Sequence, residues 1–289
     1  MPAFDTPEPI AIAIEVGVAE IRIAGGERSD TVVDIRPADP ARKADVAAAE
    51  QTKVEYADGV LRITGPKSWR RAALRGAGEG IHVLVQAPSG SSLRGQVGAG
   101  TLHATGRLGE CRVVSGAGDI RLEEAGRLTL KAAAGDITVG RAAGHCDVAT
   151  ASGTVALGAV DGAAAVKNSN GDITVGDITG DLRIVAVNGK VSVDRAGSTV
   201  AVKTANGDIR LGEVGRGAAV AHTAYGRIDI GVRDGVAAWL DLHTAFGKVH
   251  NGLDAAERPA PGDDVVEVKA RTAYGDITIR RAAVSAQAR

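Results

Sequence analysis

"NSNGDITVGDITGDLRIVAVNGKVSV", residues 168–193, holds one phrase twice, Asn-Gly-Asp-Ile-Thr-Val and then Asn-Gly-Lys-Val-Ser-Val, with Gly171 and Gly189 18 residues apart. Aligned on that glycine, the phrase recurs at Gly100, Gly118, Gly135, Gly153, Gly171, Gly189, Gly207, Gly226, Gly247 and Gly275, spaced by 17 or 18 residues and then by 19, 21 and 28. Such a period marks a repeat architecture. Two residues after the glycines stand Leu102, Ile120, Ile137, Val155, Ile173, Val191, Ile209, Ile228, Val249 and Ile277, a column that reads as buried. The column four residues after, from Ala104 to Ile279, is apolar except at Asn251. Polar residues such as Arg121, Thr138 and Thr174 separate the two columns, giving the period of two of a strand with one buried face.

A second strand precedes each glycine. Five residues back lie Val113, Leu130, Val148, Val166, Ile184, Val202 and Leu242, and seven back lie Leu128, Leu182, Val200 and Leu240. A unit of two strands and a turn cannot bury its apolar side alone. Units must therefore stack, each strand bonded to its equivalent one coil away at ~4.8 Å. The expected fold is all-β, a single-stranded parallel β-helix (β-solenoid) with about 18 residues per coil. The regular solenoid is expected over 96–289, with 1–95 as irregular first coils and an N-terminal cap, in one continuous domain forming a thin rod.

The columns also predict what stacks at the corner. Asn170, Asn188 and Asn206, just before the glycine, tolerate left-handed backbone and can form an amide ladder. Farther on the same column becomes Tyr225, Phe246 and Tyr274, an aromatic ladder, and Thr204, Thr223, Thr244 and Thr272 form another column three before the glycine. Cys111 and Cys146 share the buried column seven before, with Leu128's coil between them. That puts them ~9.6 Å apart, beyond disulfide reach, so they read as reduced core residues. In the N-terminal part, "AEIRI" (residues 19–23) and "GVLRI" (residues 59–63) echo the "GDIRL" strand, residues 40–51 read as a short capping helix after a Pro start, and residues 65–80 read as a loop. At the other end "RRAAVSAQAR" is a weak cap, leaving end-to-end association open.

Composition narrows the function classes. Aromatics are 2% of 289 residues and Gly numbers 39, so the core is built from small and β-branched side chains. A net charge of −1 argues against general affinity for nucleic acid or anionic membrane. "MPAFDTPEPIAIAIEVG" has no basic n-region and its apolar stretch is interrupted by Glu15, so it does not read as a secretory signal, and no run approaches 18 apolar residues. The expected location is cytoplasmic.

The repeated Gly-Asp-Ile-x-Val units, the opening "FDTPEPI", "TVVDIRPADPARKADV", "VKNSNGDITVG" and "AAWLDLHTAFGKVHNGLD" together resemble the DUF4097 family of β-strand-repeat, adhesin-like proteins found in actinobacteria. The resemblance covers nearly the whole chain. It implies a single-stranded β-helix and supplies no catalytic residues, ligand or partner to carry over.

Candidate sites follow from the outward columns. His222 and His243, four residues before a glycine, with Asp241 nearby, have the donor types of a divalent metal site, although exposed histidines are commonly just solvated. Lys131, Lys167, Lys203, His222, His243 and Arg271 form a broken cationic stripe, which could track a linear polyanion or simply keep a sheet face soluble. Asp172, Lys190, Asp208 and Arg227 alternate in sign one residue after the glycine, favouring stacking in that order. The nonapeptide of calcium β-rolls is absent. Trp69, with Lys67, Arg70, Arg71 and Arg75, is the one basic cluster with an aromatic. Phosphate-loop, nucleophile-elbow and zinc motifs are missing, and the strict six-residue period of hexapeptide acyltransferases fails.

The function expected is a non-catalytic scaffold that binds a protein partner or itself, with no metal or cofactor. The expected contact is the aromatic corner, Tyr225, Phe246 and Tyr274, with Trp69 or Trp239 as outlying anchors, because aromatic side chains dominate hot spots. The competing reading is a carbohydrate-active β-helix enzyme or a polysaccharide-binding adhesin-like protein. An enzyme groove would need residues 65–80 and 252–264 as walls, with carboxylates ~5–9 Å apart.

Overall fold

The structure, a computed structural model, describes residues 2–66, 80–253 and 264–282. It divides into two compact units, Met1–Ser152 and Gly153–Arg289. In the second unit Ala164–Asn170 pairs in parallel with Leu182–Asn188, which pairs with Val200–Lys203, while Ile173–Ile178 pairs with Val191–Ala196 and that with Ile209–Val214. The partners lie 18 residues apart: the Ile173 N–H donates to the Lys190 carbonyl and Val191 to Asp208, each at 2.9 Å. In the first unit Cys111–Ala117, Leu128–Ala134 and Cys146–Ser152 stack in the same manner, as do Ile120–Ala125 and Ile137–Ala142. The chain is a β-solenoid with two strands per coil on either side of a glycine corner.

The columns predicted from the repeat are buried, and two more join them. Seven residues past the glycine, Ala125, Ala142, Val160, Ile178, Ala196 and Val214 point inward. They break strict alternation because the chain kinks at a shared position in each coil. Leu157 faces Val175 and the next pair is Ala159 with Asp177, so Gly158 and Gly176 drop out of the ladder and the inward side flips from even to odd positions. The column three before the glycine is also interior. Ser115, Thr150, Asn168, Thr204, Thr223 and Thr272 are buried, and their side chains satisfy corner carbonyls: Thr223 Oγ1 donates to Gly207 O at 3.1 Å, Thr272 to Gly226 at 3.1 Å and Asn168 Nδ2 to Gly153 at 2.9 Å. Unpaired carbonyls there would be costly, so a short hydroxyl or amide is the residue type that fits.

The Asp that follows many glycines has a related task. Asp172 Oδ1 accepts the Lys190 N–H, Asp208 the Arg227 N–H and Asp276 the Lys248 N–H, each at 2.8 Å. The alternation of sign is secondary to this backbone bond, although Arg227 does reach Asp208 at 3.5 Å. Cys111 and Cys146 are both buried and free, each facing Leu128 from opposite sides, and burial pushes both thiols up to about 12.

Both ends depart from sequence order. In the first unit the strand Ala11–Gly26 is one complete coil, with Ser92–Leu108 on one edge and, on the other, Val60–Thr64 along its first half and Gly80–Pro88 along its second. "AEIRI" takes the expected place, Ile21 opposite Leu102. "GVLRI" instead lies on the strand before the corner, with Leu61 opposite Ile12 and Ile12 opposite Leu93. Lys53–Ala57 and Asp30–Pro37 then close these strands off as antiparallel neighbours. The helix runs Lys43–Gln51, starting later than Pro40 suggested, and is clipped down by buried Asp45, whose carboxylate accepts the Asp39 and Gly80 N–H groups at 3.1 Å.

In the second unit the last coil in sequence, Val265–Tyr274 and Ile277–Arg281, is threaded between Gly217–Tyr225 with Ile228–Val232 on one side and Ala237–Phe246 with Val249–Asn251 on the other. The corner order is therefore Gly226, Gly275, Gly247. The coil at 237–251 is outermost among the described residues, which is why Val249, expected in the core, is 44% exposed and Leu240 and Leu242 are only partly covered.

Gly171 tests the stacking. Its φ is +130° and an added Cβ would overlap the Gly153 carbonyl oxygen. Gly171→Ala is expected to cost at least about 2 kcal/mol in urea unfolding, combining left-handed strain with overlap. Thr174→Ala, on the exposed face of the next strand, should cost under about 1 kcal/mol.

Candidate functional site: the aromatic corner and the outward rows

The outer corner of the second unit is a single column of planar side chains. Asn188 Nδ2 donates to Asn170 Oδ1 and Asn206 Nδ2 to Asn188 Oδ1, each at 2.9 Å, which is the amide ladder the sequence suggests. Asn206 bridges to Tyr225, and from there the column is aromatic. Because the last coil is threaded inward, the order is Tyr225, Tyr274, Phe246 and not the sequence order. Tyr225 and Tyr274 stack at 4.9 Å and 0°, Tyr274 and Phe246 at 4.8 Å and 9°. The strand spacing equals the preferred separation of stacked rings, so the backbone ladder sets the geometry without strain. The three are 56%, 45% and 65% exposed in that order, an unusual outlay of aromatic surface for a chain with 2% aromatics. The column offers ring edges along its length, and among the described residues Phe246, at the end, has an outer face uncovered by the stack.

Trp239 is 68% exposed but belongs to a different row, opposite Glu267 at the far end of the Phe246 strand. Trp69 and its basic neighbours lie outside the described residues, as do most of residues 65–80 and 252–264, the two segments an enzyme groove would need.

The cationic row is reordered too. Lys167, Val185, Lys203, His222, Arg271 and His243 are successive neighbours in the second unit, while Lys131 and Ala149 are neighbours in the first. Arg271 thus separates His222 from His243, which removes the paired-imidazole metal geometry. Asp241 takes the Arg271 guanidinium at 3.1 Å instead. Among the described residues no three His, Cys, Asp or Glu side chains converge as metal ligands. No described helix is long and apolar enough to cross a membrane. Burial foremost, then the charges of Arg271 and Lys203, lower the His222 pKa, against the opposing pull of Asp241.

One cluster escaped the sequence reading. On the outward face of the first unit Arg62, Ala13, Arg94 and Arg112 are in register, and with Glu110 and Ser92 they line a shallow hollow of ≈ 270 Å³. Arg94 and Arg112 face each other directly, an arrangement of like charges that costs stability, and none of the three arginines has an ion-pair partner among the described residues. Both stand six residues before a glycine, so their column was readable. Arg62 was not, because its strand joins out of order.

A lowered histidine pKa means the unfolded chain binds the extra proton first, so stability falls as pH drops through about 6.5. His222→Gln should show a shallower loss of thermal stability than the parent between pH 7.5 and 5.5, monitored by circular dichroism. An equal slope would remove His222 as its source.

Comparison with known proteins gives similar solved structures and a family. The chain is similar to a "putative adhesin" from Parabacteroides distasonis at 13% identity, covering 96% of this chain and 95% of that one with a TM-score of 0.42. A "putative adhesin" from Parabacteroides merdae is similar at 12% identity, over 96% and 94% of the two chains, with a TM-score of 0.37. No curated protein matches significantly. The family model described as Toastrack DUF4097 matches residues 10–280, nearly the whole chain, and this protein belongs to that family.

Proposed function

We propose that this protein is a non-catalytic interaction scaffold that works in the cytoplasm and binds a protein partner through the outer corner of its second unit. The observation that supports this most is the stacked, exposed trio Tyr225, Tyr274 and Phe246. A rigid column loses little side-chain entropy on contact, since each ring is already held by its neighbours, and aromatic anchors contribute disproportionately to association. A protein groove that accepts a row of ring edges suits this surface. A sugar platform, which needs broad free ring faces, does not. Replacing all three rings with Ala should abolish capture of the partner from native lysate while leaving the circular dichroism spectrum unchanged. Unchanged capture would refute the reading.

A second reading has its own observation. The hollow at Arg62, Arg94 and Arg112 offers three guanidiniums, without ion-pair partners among the described residues, to carboxylates, as on an acidic polysaccharide. Under that reading an oligouronate binds in calorimetry at low salt, and Arg94→Ala with Arg112→Ala weakens it at least tenfold. Absence of heat with the parent protein would end it.

A further inference from the structure

The outermost coil of the second unit carries an edge that soluble proteins normally blunt. The strand Ala237–Phe246 is ten residues long and reads AAWLDLHTAF, with no Pro, Gly or Lys. Only its inner side is paired among the described residues, with Val265–Tyr274. Natural edge strands are usually short, bulged or studded with lysine and proline, because an unpaired row of N–H and C=O groups recruits another strand. Among the described residues this edge also leaves the interior open, with Leu240 and Leu242 half-covered and Val249 exposed.

We infer that this edge is completed by a second copy of the chain, through antiparallel pairing of Ala237–Phe246 with itself about a two-fold axis at Leu242. The sequence of the strand is complementary to its own reverse in that register. Directly opposite residues in an antiparallel pair share a face at about 4.5–5.5 Å between Cβ atoms. Leu242 meets the partner's Leu242 on the inner face, and Leu240 meets the partner's Thr244. On the outer face Asp241 meets the partner's His243, opposite in charge once the imidazole is protonated and a hydrogen-bonding pair otherwise. Trp239 lies over the partner's Ala245, so the large ring meets a methyl group. Shifting the axis by one residue toward Asp241 or His243 puts a like pair on the axis, carboxylate on carboxylate or imidazole on imidazole. Complementarity of charge therefore favours this register over its one-residue neighbours. The operation is isologous, so it closes at two chains and the edge does not propagate into a fibre.

This inference deepens the scaffold reading by naming a partner, and it uses a surface distinct from the Tyr225 and Tyr274 rings. Sedimentation velocity and light scattering on the purified chain should give twice the 29.3 kDa of one protomer at micromolar concentration. Leu242→Cys should form a covalent dimer under mild oxidation, whereas Ala201→Cys, on an interior coil of the same sheet, should not. His243→Asp, which faces carboxylate with carboxylate, should sediment as a monomer, and adding Asp241→His should restore the dimer by exchanging the charges. Tyr225→Ala with Tyr274→Ala should remain dimeric even where it loses a foreign partner. A monomeric parent chain, or a dimer that persists in His243→Asp without Leu242→Cys cross-linking, would overturn the inference.

Discussion

Close approach of backbone to backbone at the glycine corner is the constraint on which the rest of the structure depends. At Gly171 and Gly189 the following turn of chain lies directly over the preceding one, so near that the carbonyl oxygen of the earlier glycine occupies the space a Cβ would take. Only glycine lets coils approach at strand spacing there, and that spacing governs every other column. It brings Asn amides within bonding distance, sets ring stacking at 4.8–4.9 Å, and puts each Asp under the next coil's N–H. The cost is a turn of carbonyls outside the strand ladder, which the inward Thr, Ser and Asn side chains satisfy.

A repeat built this way must still end, and a regular solenoid ends in an unpaired strand and an open core. The two ends of this chain meet that problem differently. At the N-terminus later segments pack outside the first coil, and antiparallel strands with a helix pinned by Asp45 finish the sheet. At the other end the last coil is drawn inside, so that Val265–Tyr274 has partners on both edges. That gives this coil partners on both edges but transfers the edge, among the described residues, to Ala237–Phe246, where the aromatic column terminates and the aliphatic interior is exposed. The residues with the most evident capacity for contact are thus a consequence of how the repeat is closed.

Much of this was legible in the sequence because a strict column needs no knowledge of the tertiary fold. The glycine, the aliphatic residues two and four positions on, the Asn ladder and the separation of the two cysteines all follow from register alone. What was hidden has local physical causes. The kink at Gly158 and Gly176, which leave the ladder together, reverses the inward side, so the Val160 and Ile178 column cannot be found by alternation. The Thr column was readable as a stack, but its burial follows only from the corner carbonyls that its hydroxyls satisfy. The exchange of the last two coils leaves no trace in the repeat, since Gly247 and Gly275 both satisfy it; this alone separates the expected neighbours His222 and His243 and places Tyr274 in the middle of the ring stack. Val249 looks like its equivalents and is exposed because no described strand pairs with it on the outer side.

The account stands or falls on strands pairing with their equivalents one coil away and not with their sequence neighbours. Through-hydrogen-bond scalar couplings in a deuterated sample report donor and acceptor directly. They should connect the Ile173 amide to the Lys190 carbonyl and the Val191 amide to the Asp208 carbonyl. Couplings from Ile173 or Val191 to the strand immediately before it in sequence, as in an antiparallel hairpin, would contradict the solenoid and every surface built upon it.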